Sequence, residues 1–327
     1  MKATASACAN IALVKYWGKR DLALNLPAAG SLSLTLDRFV SISDVEFDAA
    51  LASDELEIDG ETASESATWR VSQFLDLVRE FAGKRERARV RTRNNFPVGA
   101  GLASSASAFA SVALAATRAV GLSLSRTQLS AMARRGSGSA ARSVFGGFVE
   151  MASGTRADGV DAVARQLAAP DHWDVRLVVA ITVEGRKALG STEAMIRTAE
   201  TSPLYQGWLA SVPAALAEAR SAVLSRDLRS LGTVMEHSAL TMHASALGAR
   251  PPILYWHPGT VEVMQRVWRL RREGCDAWFT MDAGPHVKVI CTASDAPKVE
   301  AALKELAGVV RTFVAAPGGS AEIVETT

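Results

Sequence analysis

Apolar and polar positions alternate along much of the first third of the chain. Leu32, Leu34 and Leu36 alternate with Ser31, Ser33 and Thr35, and Val40, Ile42, Val45 and Phe47 continue the pattern beyond Asp37-Arg38; the spacing predicts two paired strands. Ahead of them, the run 11–17 reads as a strand ending in a charged, aromatic turn, Gly18-Lys19-Arg20-Asp21. After an acidic segment whose Asp59-Gly60 signals a turn, Trp69, Val71, Phe74, Leu75 and Val78 fall at helical spacing and predict a helix with one apolar face. Val90, Thr92 and Asn94 lead a short strand into a glycine-punctuated loop, and a helix through Phe109, Val112 and Leu114 runs from that loop toward Gly121. Ser125 with Gln128 three residues on forms a capping box for a helix over about 127–135, and 144–150 reads as a strand.

A composition shift at 168–173 marks a boundary. A chain of 327 residues exceeds what one core usually supports, so two domains are expected, 1–172 and 173–327. The second opens on a nearly continuous β-branched and aliphatic strand, 175–183, and then a helix for which Ser191 is the expected cap. Helices follow over 205–224, 228–246 and about 260–273, then strands over 277–281 and 287–291 with Asp282-Ala283-Gly284-Pro285-His286 turning between them. His243, near a helix end, reads as a satisfied structural group before a ligand contact.

Composition narrows the function. Hydrophobic residues make up 48% and charged residues 21%, ordinary for a packed enzyme-sized body. The net charge of +2, from 36 basic against 34 acidic residues, supplies no global field to recruit nucleic acid or an anionic membrane. No apolar run is long enough to span a bilayer, and the N-terminal stretch lacks an apolar signal core. Cys8, Cys275 and Cys291 are odd in number and far apart, which points to reduced thiols in a cytoplasm.

Any anion site is therefore local, and the stretch 94–108 offers one. Gly99 and Gly101 free the backbone, and the following helix presents unpaired N–H groups and a positive dipole end, with Ser104, Ser105 and Ser107 adding hydroxyls. It is neither a Walker loop, since no lysine follows Gly101, nor a dinucleotide fingerprint, since Ser104 stands where a third glycine is needed. A second small-residue loop, Gly136-Ser137-Gly138-Ser139, is flanked by Arg134, Arg135 and Arg142, and suits multidentate binding of a phosphorylated group. Asp282, at a strand end beside Gly284-Pro285, is placed to face a cleft.

Five collinear blocks carry a resemblance. The stretch from Asn10 through Lys15-Tyr16-Trp17-Gly18-Lys19 to Asp21 resembles the opening signature of the mevalonate diphosphate decarboxylases, in the GHMP kinase superfamily; 94–105 resembles that family's ATP loop and 135–143 its substrate loop. Ser191 to Met195 with Thr201 to Leu204 resembles a later helix pair, and Met281 to Pro285 the catalytic block. The resemblance implies an α/β fold of two domains, the N-terminal one related to ribosomal protein S5 domain 2 and the C-terminal one ferredoxin-like, with the cleft between them. It implies ATP as co-substrate with Mg2+, a phosphorylated mevalonate as substrate, neither nucleic acid nor membrane as partner, and a homodimer as a common assembly. Relatives that accept mevalonate 5-phosphate, or stop at 3-phosphorylation, share much of the signature.

By the same resemblance, Asp282, Lys19 and Arg142 form the catalytic set, with Lys19 holding Asp282 ionised and Arg142 forking the substrate carboxylate. Asn10, Lys15, Tyr16, Lys19, Ser137, Ser139 and Arg142 meet the acid substrate. Asn95, Pro97, Gly99, Ala100, Gly101, Leu102, Ala103, Ser104 and Ser105 meet ATP, with Ser105 also toward the metal. His286 stands where the family usually has asparagine.

Overall fold

The computed structural model describes residues 1–96, 104–185 and 189–326. The chain begins with a long strand β1 (Lys2–Val14), a short hairpin β2 (Lys19–Asp21) and β3 (Leu26–Pro27), and an 18-residue strand β4 (Ser31–Asp48). A second hairpin, β5 (Glu55–Ile58) and β6 (Glu61–Thr62), turns at Asp59-Gly60, both with positive φ as that dipeptide favours. Next come α1 (Glu65–Ala82), β7 (Arg87–Asn94), α2 (Ser104–Ala119), α3 (Arg126–Gly136), α4 (Ala140–Ser143), β8 (Phe148–Met151) and β9 (Ala164–Ala168). The remainder supplies β10 (Val175–Ile181), α5 (Ser191–Thr201), α6 (Tyr205–Ser225), α7 (Leu228–Leu247), α8 (Pro258–Arg272), β11 (Ala277–Met281), β12 (Val287–Thr292), α9 (Ala296–Lys304), β13 (Arg311–Ala315) and β14 (Glu322–Thr326).

The larger sheet runs β14-β1-β4-β7-β5-β6, with β8 and β9 continuing from β4; the smaller runs β11-β12-β10-β13. Alternation along β10 sorts its two faces. Val175, Leu177, Val179 and Ile181 join a core shared with β1, β4, α6 and α7, whereas Val178 and Ala180 join the core under α8 and α9. Helices α6 and α7 are thus sandwiched between the two sheets, and α2 packs on the far side of the larger sheet through Ala110 and Ala113. Those small residues bring α2 close enough for Ser107 and Ser111 to exchange 2.7 Å hydrogen bonds with Ser41 and Ser43 of β4. The outer face of the same sheet is a charge ladder. Arg89 pairs with Glu55 at 2.7 Å and Lys2 with Asp44 at 3.0 Å, opposite signs on neighbouring strands that favour this register.

Several sequence expectations change here. Strands expected on either side of Asp37-Arg38 are one strand, because the polar pair sits at a bend rather than a turn: β4 pairs with β8 before it and β7 after it. At that bend Cys8 pairs with Val40 but Asn10 with Thr35. The slip reverses the faces of β1, so Ala3, Ala5 and Ala7 pack toward α2 while Ile11 and Leu13 pack toward α6 and α7, and Asn10 turns to α4. Trp69, expected on the buried face of α1, is 66% exposed; Phe74, Leu75 and Val78 carry that face. Residues 144–147 close α4 and turn, so the strand expected there begins only at Phe148. Gly190, not Ser191, caps α5. Finally, β14 pairs with β1, so the end of the region expected as the second domain completes the first sheet and covers an otherwise open edge.

Helix α7 lies on the smaller sheet through Gly232, where a Cβ would fall within the indole of Trp278. Gly232→Ala is therefore expected to destabilise the protein by about 1–3 kcal/mol despite alanine's better helix propensity, read as a lowered Tm. An unchanged Tm would mean that the indole moves without cost.

Candidate active site

The slip in β1 and the turn after β11 bring four segments around one cavity of about 770 Å3. The end of β1 contributes Asn10, Lys15, Tyr16 and Lys19; the 137–142 loop contributes Ser137, Ser139 and Arg142; α2 contributes Ser104 and Ser105; and Asp282 enters from the end of β11. The first turn of α5, with Thr192 and Glu193, adds a further wall, and Arg70 of α1 and Met242 of α7 also reach the lining.

Asp282 is the electrostatic centre. Its Oδ1 lies 2.8 Å from Lys15 Nζ and its Oδ2 lies 3.2 Å from Lys288 Nζ, while the side chain stays 24% exposed toward the cavity. Burial would raise its carboxyl, but the two ammonium charges and their hydrogen bonds outweigh that and hold it well below the usual carboxylate range. Lys15 responds oppositely: burial, with the Lys288 and Arg142 charges, lowers it to about 8 against the pull of Asp282. Its ammonium also donates to the Ala12 carbonyl at 2.8 Å, and its backbone N–H donates to Ser238 Oγ on α7 at 3.0 Å. His243 on α7 is hydrogen-bonded to the backbone of Asp282, and burial first, then Lys15, pushes it down to about 3, so the ring is neutral.

Arg142 is buried and its fork is partly occupied. Nε donates to Asn10 Oδ1 at 3.2 Å and Nη1 to Ser31 Oγ at 2.7 Å, and Asn10 in turn donates to Ser139 O and Ser143 Oγ. Glycine is needed at 138 because a Cβ there would collide with the Tyr16 hydroxyl. That hydroxyl is buried without a hydrogen-bond partner among the described residues, and burial raises it to about 12. A donor held ready beside the hydroxyls of Ser137 and Ser139, themselves 3.2 Å apart, suits an anionic ligand.

The expected set is mostly assembled, with corrections. Lys15, not Lys19, contacts Asp282: residue 15 immediately follows β1, whereas residue 19 lies beyond the turn and its Nζ donates to Thr192 Oγ1 at 3.3 Å. Asn95 lies apart from this cavity, its amide bonded to the Arg38 carbonyl and the Val40 N–H. Pro97, Gly99, Ala100, Gly101, Leu102 and Ala103 lie outside the described residues. Arg134 turns away to the carbonyls of Leu24 and Gly159, so it braces the fold. His286 is buried, with Nδ1 accepting from the Thr182 N–H at 3.3 Å, and does not line the cavity. Sequence reasoning passed over Lys288 and Arg70. The first was legible as a lone charge inside an apolar strand; Arg70, which lines the cavity and donates to the Gly136 carbonyl at 2.9 Å, carries no local signal on its helix.

Comparison with known proteins agrees along the chain. Residues 7–164 match the model of the diphosphomevalonate decarboxylase-like N-terminal domain and residues 177–318 that of the mevalonate 5-diphosphate decarboxylase C-terminal domain. The diphosphomevalonate decarboxylase of Homo sapiens is 36% identical over 312 residues, covering 89% of this chain and 77% of that protein. A structure described as MDDEF in complex with MVAPP, AMPPCP and magnesium superposes with a TM-score of 0.94 at 39% identity, covering 100% of this chain and 99% of that one. The mevalonate diphosphate decarboxylase of Staphylococcus aureus gives 0.94 at 36% identity, covering 99% and 98%.

Lys15, Lys19 and Lys288 should differ in reactivity. Lys19 is partly exposed, and burial with the Arg70 charge lowers it to about 8, whereas Lys15 and Lys288 are enclosed. Brief acetylation of the native protein at pH 8, followed by peptide mass spectrometry, is expected to modify Lys19 well before the other two; faster labelling of Lys15 would contradict the burial described here.

Proposed function

The chain belongs to the mevalonate 5-diphosphate decarboxylase family and catalyses the ATP-dependent decarboxylation of mevalonate diphosphate, and we propose how its residues divide that work. The observation that carries the proposal is the placement of Asp282 between two lysines in the cavity that Arg142, Ser137, Ser139 and the start of α2 also line. The products are isopentenyl diphosphate, ADP, phosphate and CO2.

A tertiary hydroxyl leaves poorly, so its oxygen first bonds to the γ-phosphorus of ATP as the bond to ADP breaks. The C3–O bond then breaks with departure of phosphate, C3 becomes electron-poor, and the bond to the carboxylate supplies the electron pair of the new double bond as CO2 leaves. Asp282 orients the hydroxyl and accepts its proton. Lys15 keeps Asp282 ionised and offsets charge on the transferring phosphoryl group. Arg142 forks the carboxylate until it departs. Lys19, Tyr16, Ser137 and Ser139 grip the 5-diphosphate, and Ser104 and Ser105 meet the ATP phosphates at the N-terminus of α2.

Among the described residues no cluster of three or more His, Cys, Asp or Glu side chains could hold a metal ion. Ser105, which lines the cavity at the start of α2, is the residue that would meet Mg2+ brought with ATP, where the ion would neutralise phosphate charge. No helix of the described residues is long and apolar enough to cross a membrane. The three unpaired cysteines support a cytoplasmic setting.

The deciding assay offers Mg-ATP with mevalonate, its 5-phosphate and its 5-diphosphate side by side, following ADP and CO2. Coupled release of both from the diphosphate is expected; preference for the monophosphate would redirect the substrate assignment. Asp282→Asn is expected to lower both products about 100-fold to 10,000-fold with substrate affinity kept within about tenfold, and near-normal turnover would sink the role given to Asp282. Arg142→Lys keeps the charge but loses the planar fork, at a cost of about 2 to 5 kcal/mol that falls on turnover. Wild-type coupling of ADP to CO2 in that variant would leave Arg142 a structural partner of Asn10 and Ser31.

A further inference from the structure

From Val287 to Cys291, strand β12 is apolar on both faces except at one position. Val287, Val289 and Cys291 point into the core under α8 and α9, and Ile290 into the core between the sheets. Lys288 is 0% exposed. Enclosing an ammonium costs several kcal/mol that the sheet itself does not require, since an apolar side chain of similar volume would pack there at no such cost. The ammonium is held between the His286 carbonyl at 3.3 Å and Asp282 Oδ2 at 3.2 Å. Lys15 already holds the other oxygen. Lys15 is hydrogen-bonded to one oxygen and Lys288 faces the other as an ion pair, so two charges arriving from different sheets oppose rotation of the carboxylate about its Cβ–Cγ bond.

We infer that Lys288 is a positioning residue for the decarboxylation, fixing the second oxygen of Asp282 so that the carboxylate presents one orientation to the tertiary hydroxyl. The inference rests on the role given to Asp282 above. The charged and titratable groups facing Asp282 are Lys15 after β1, Lys288 on β12, Arg142 on α4 and His243 on α7. His243 is neutral, so the three cations set the local field.

The test compares Lys288→Met and Lys288→Gln with wild type. In the full chain, kcat should fall about 100-fold, as misplacement of a catalytic group by about an ångström does, with KM for ATP and for the acid within about threefold. A readout that simple packing damage would not move is the pH profile. Removing one cation raises the Asp282 carboxyl and also relieves repulsion on Lys15, so both the acid and the alkaline limb of kcat should move to higher pH. A folded variant with wild-type kcat, with unshifted limbs, or with only KM altered overturns the inference. Failure of both variants to fold makes Lys288 a structural residue and overturns it too. If instead the wild-type protein releases no CO2 with ATP, the functional reading fails, and that outcome is distinct from these.

Discussion

The cluster Lys15–Asp282–Lys288 is the constraint on which the rest of the structure depends. It joins the two sheets at one buried point, since Lys15 follows a strand of the larger sheet and Lys288 belongs to the smaller one. Neighbouring contacts reinforce the same junction: the Ala12 carbonyl receives both Lys15 Nζ and Thr280 Oγ1, and Ser238 on α7 receives the Lys15 N–H. Isolated buried charges are costly, and an unpaired member of this cluster would destabilise the junction by several kcal/mol. The relative placement of the sheets and the geometry of the carboxylate are thereby the same structural fact.

Elements farther away serve that junction. The register slip between β1 and β4 turns Asn10 toward α4, where its amide and the Ser31 hydroxyl hold the guanidinium of Arg142. Alanine on α2 and serine on β4 let that helix lie close to the sheet, which sets its first turn beside the cavity. Glycine at 138 lets the backbone meet Tyr16. Each is a local choice of a small residue where a larger one would displace a polar group of the site.

Much of this was legible in the sequence. Period-2 and helical spacing locate most elements, and the motif blocks point to Asp282, Arg142, Ser105 and the Ser137–Ser139 loop, all of which line the cavity. The errors share a physical origin: they concern which of several nearby side chains points where. Lys15 and Lys19 are equivalent as charges in a string, and only the strand end at Val14 decides which one enters the junction. Asn95 looks like part of the nucleotide loop, yet its amide closes on Arg38 and Val40 at the bend in β4, contacts 57 and 55 residues apart that no local pattern encodes. Trp69 fits the helical period but lies where α1 has no neighbour to bury it.

A chain with nearly balanced charge has gathered Lys15, Lys19 and Arg142 at one cavity, with Lys288 buried behind Asp282, and offset them chiefly with that carboxylate. This surplus has a consequence for binding. Burial and mutual repulsion lower Lys15 to about 8, and burial with Arg70 lowers Lys19 similarly, so both lysines are partly neutral near that pH. A polyanionic ligand favours their charged forms, so it draws protons onto the site as it enters. Near that pH, entry of a polyanion is therefore coupled to proton uptake at Lys15 and Lys19, and raising the pH through that range would weaken its binding.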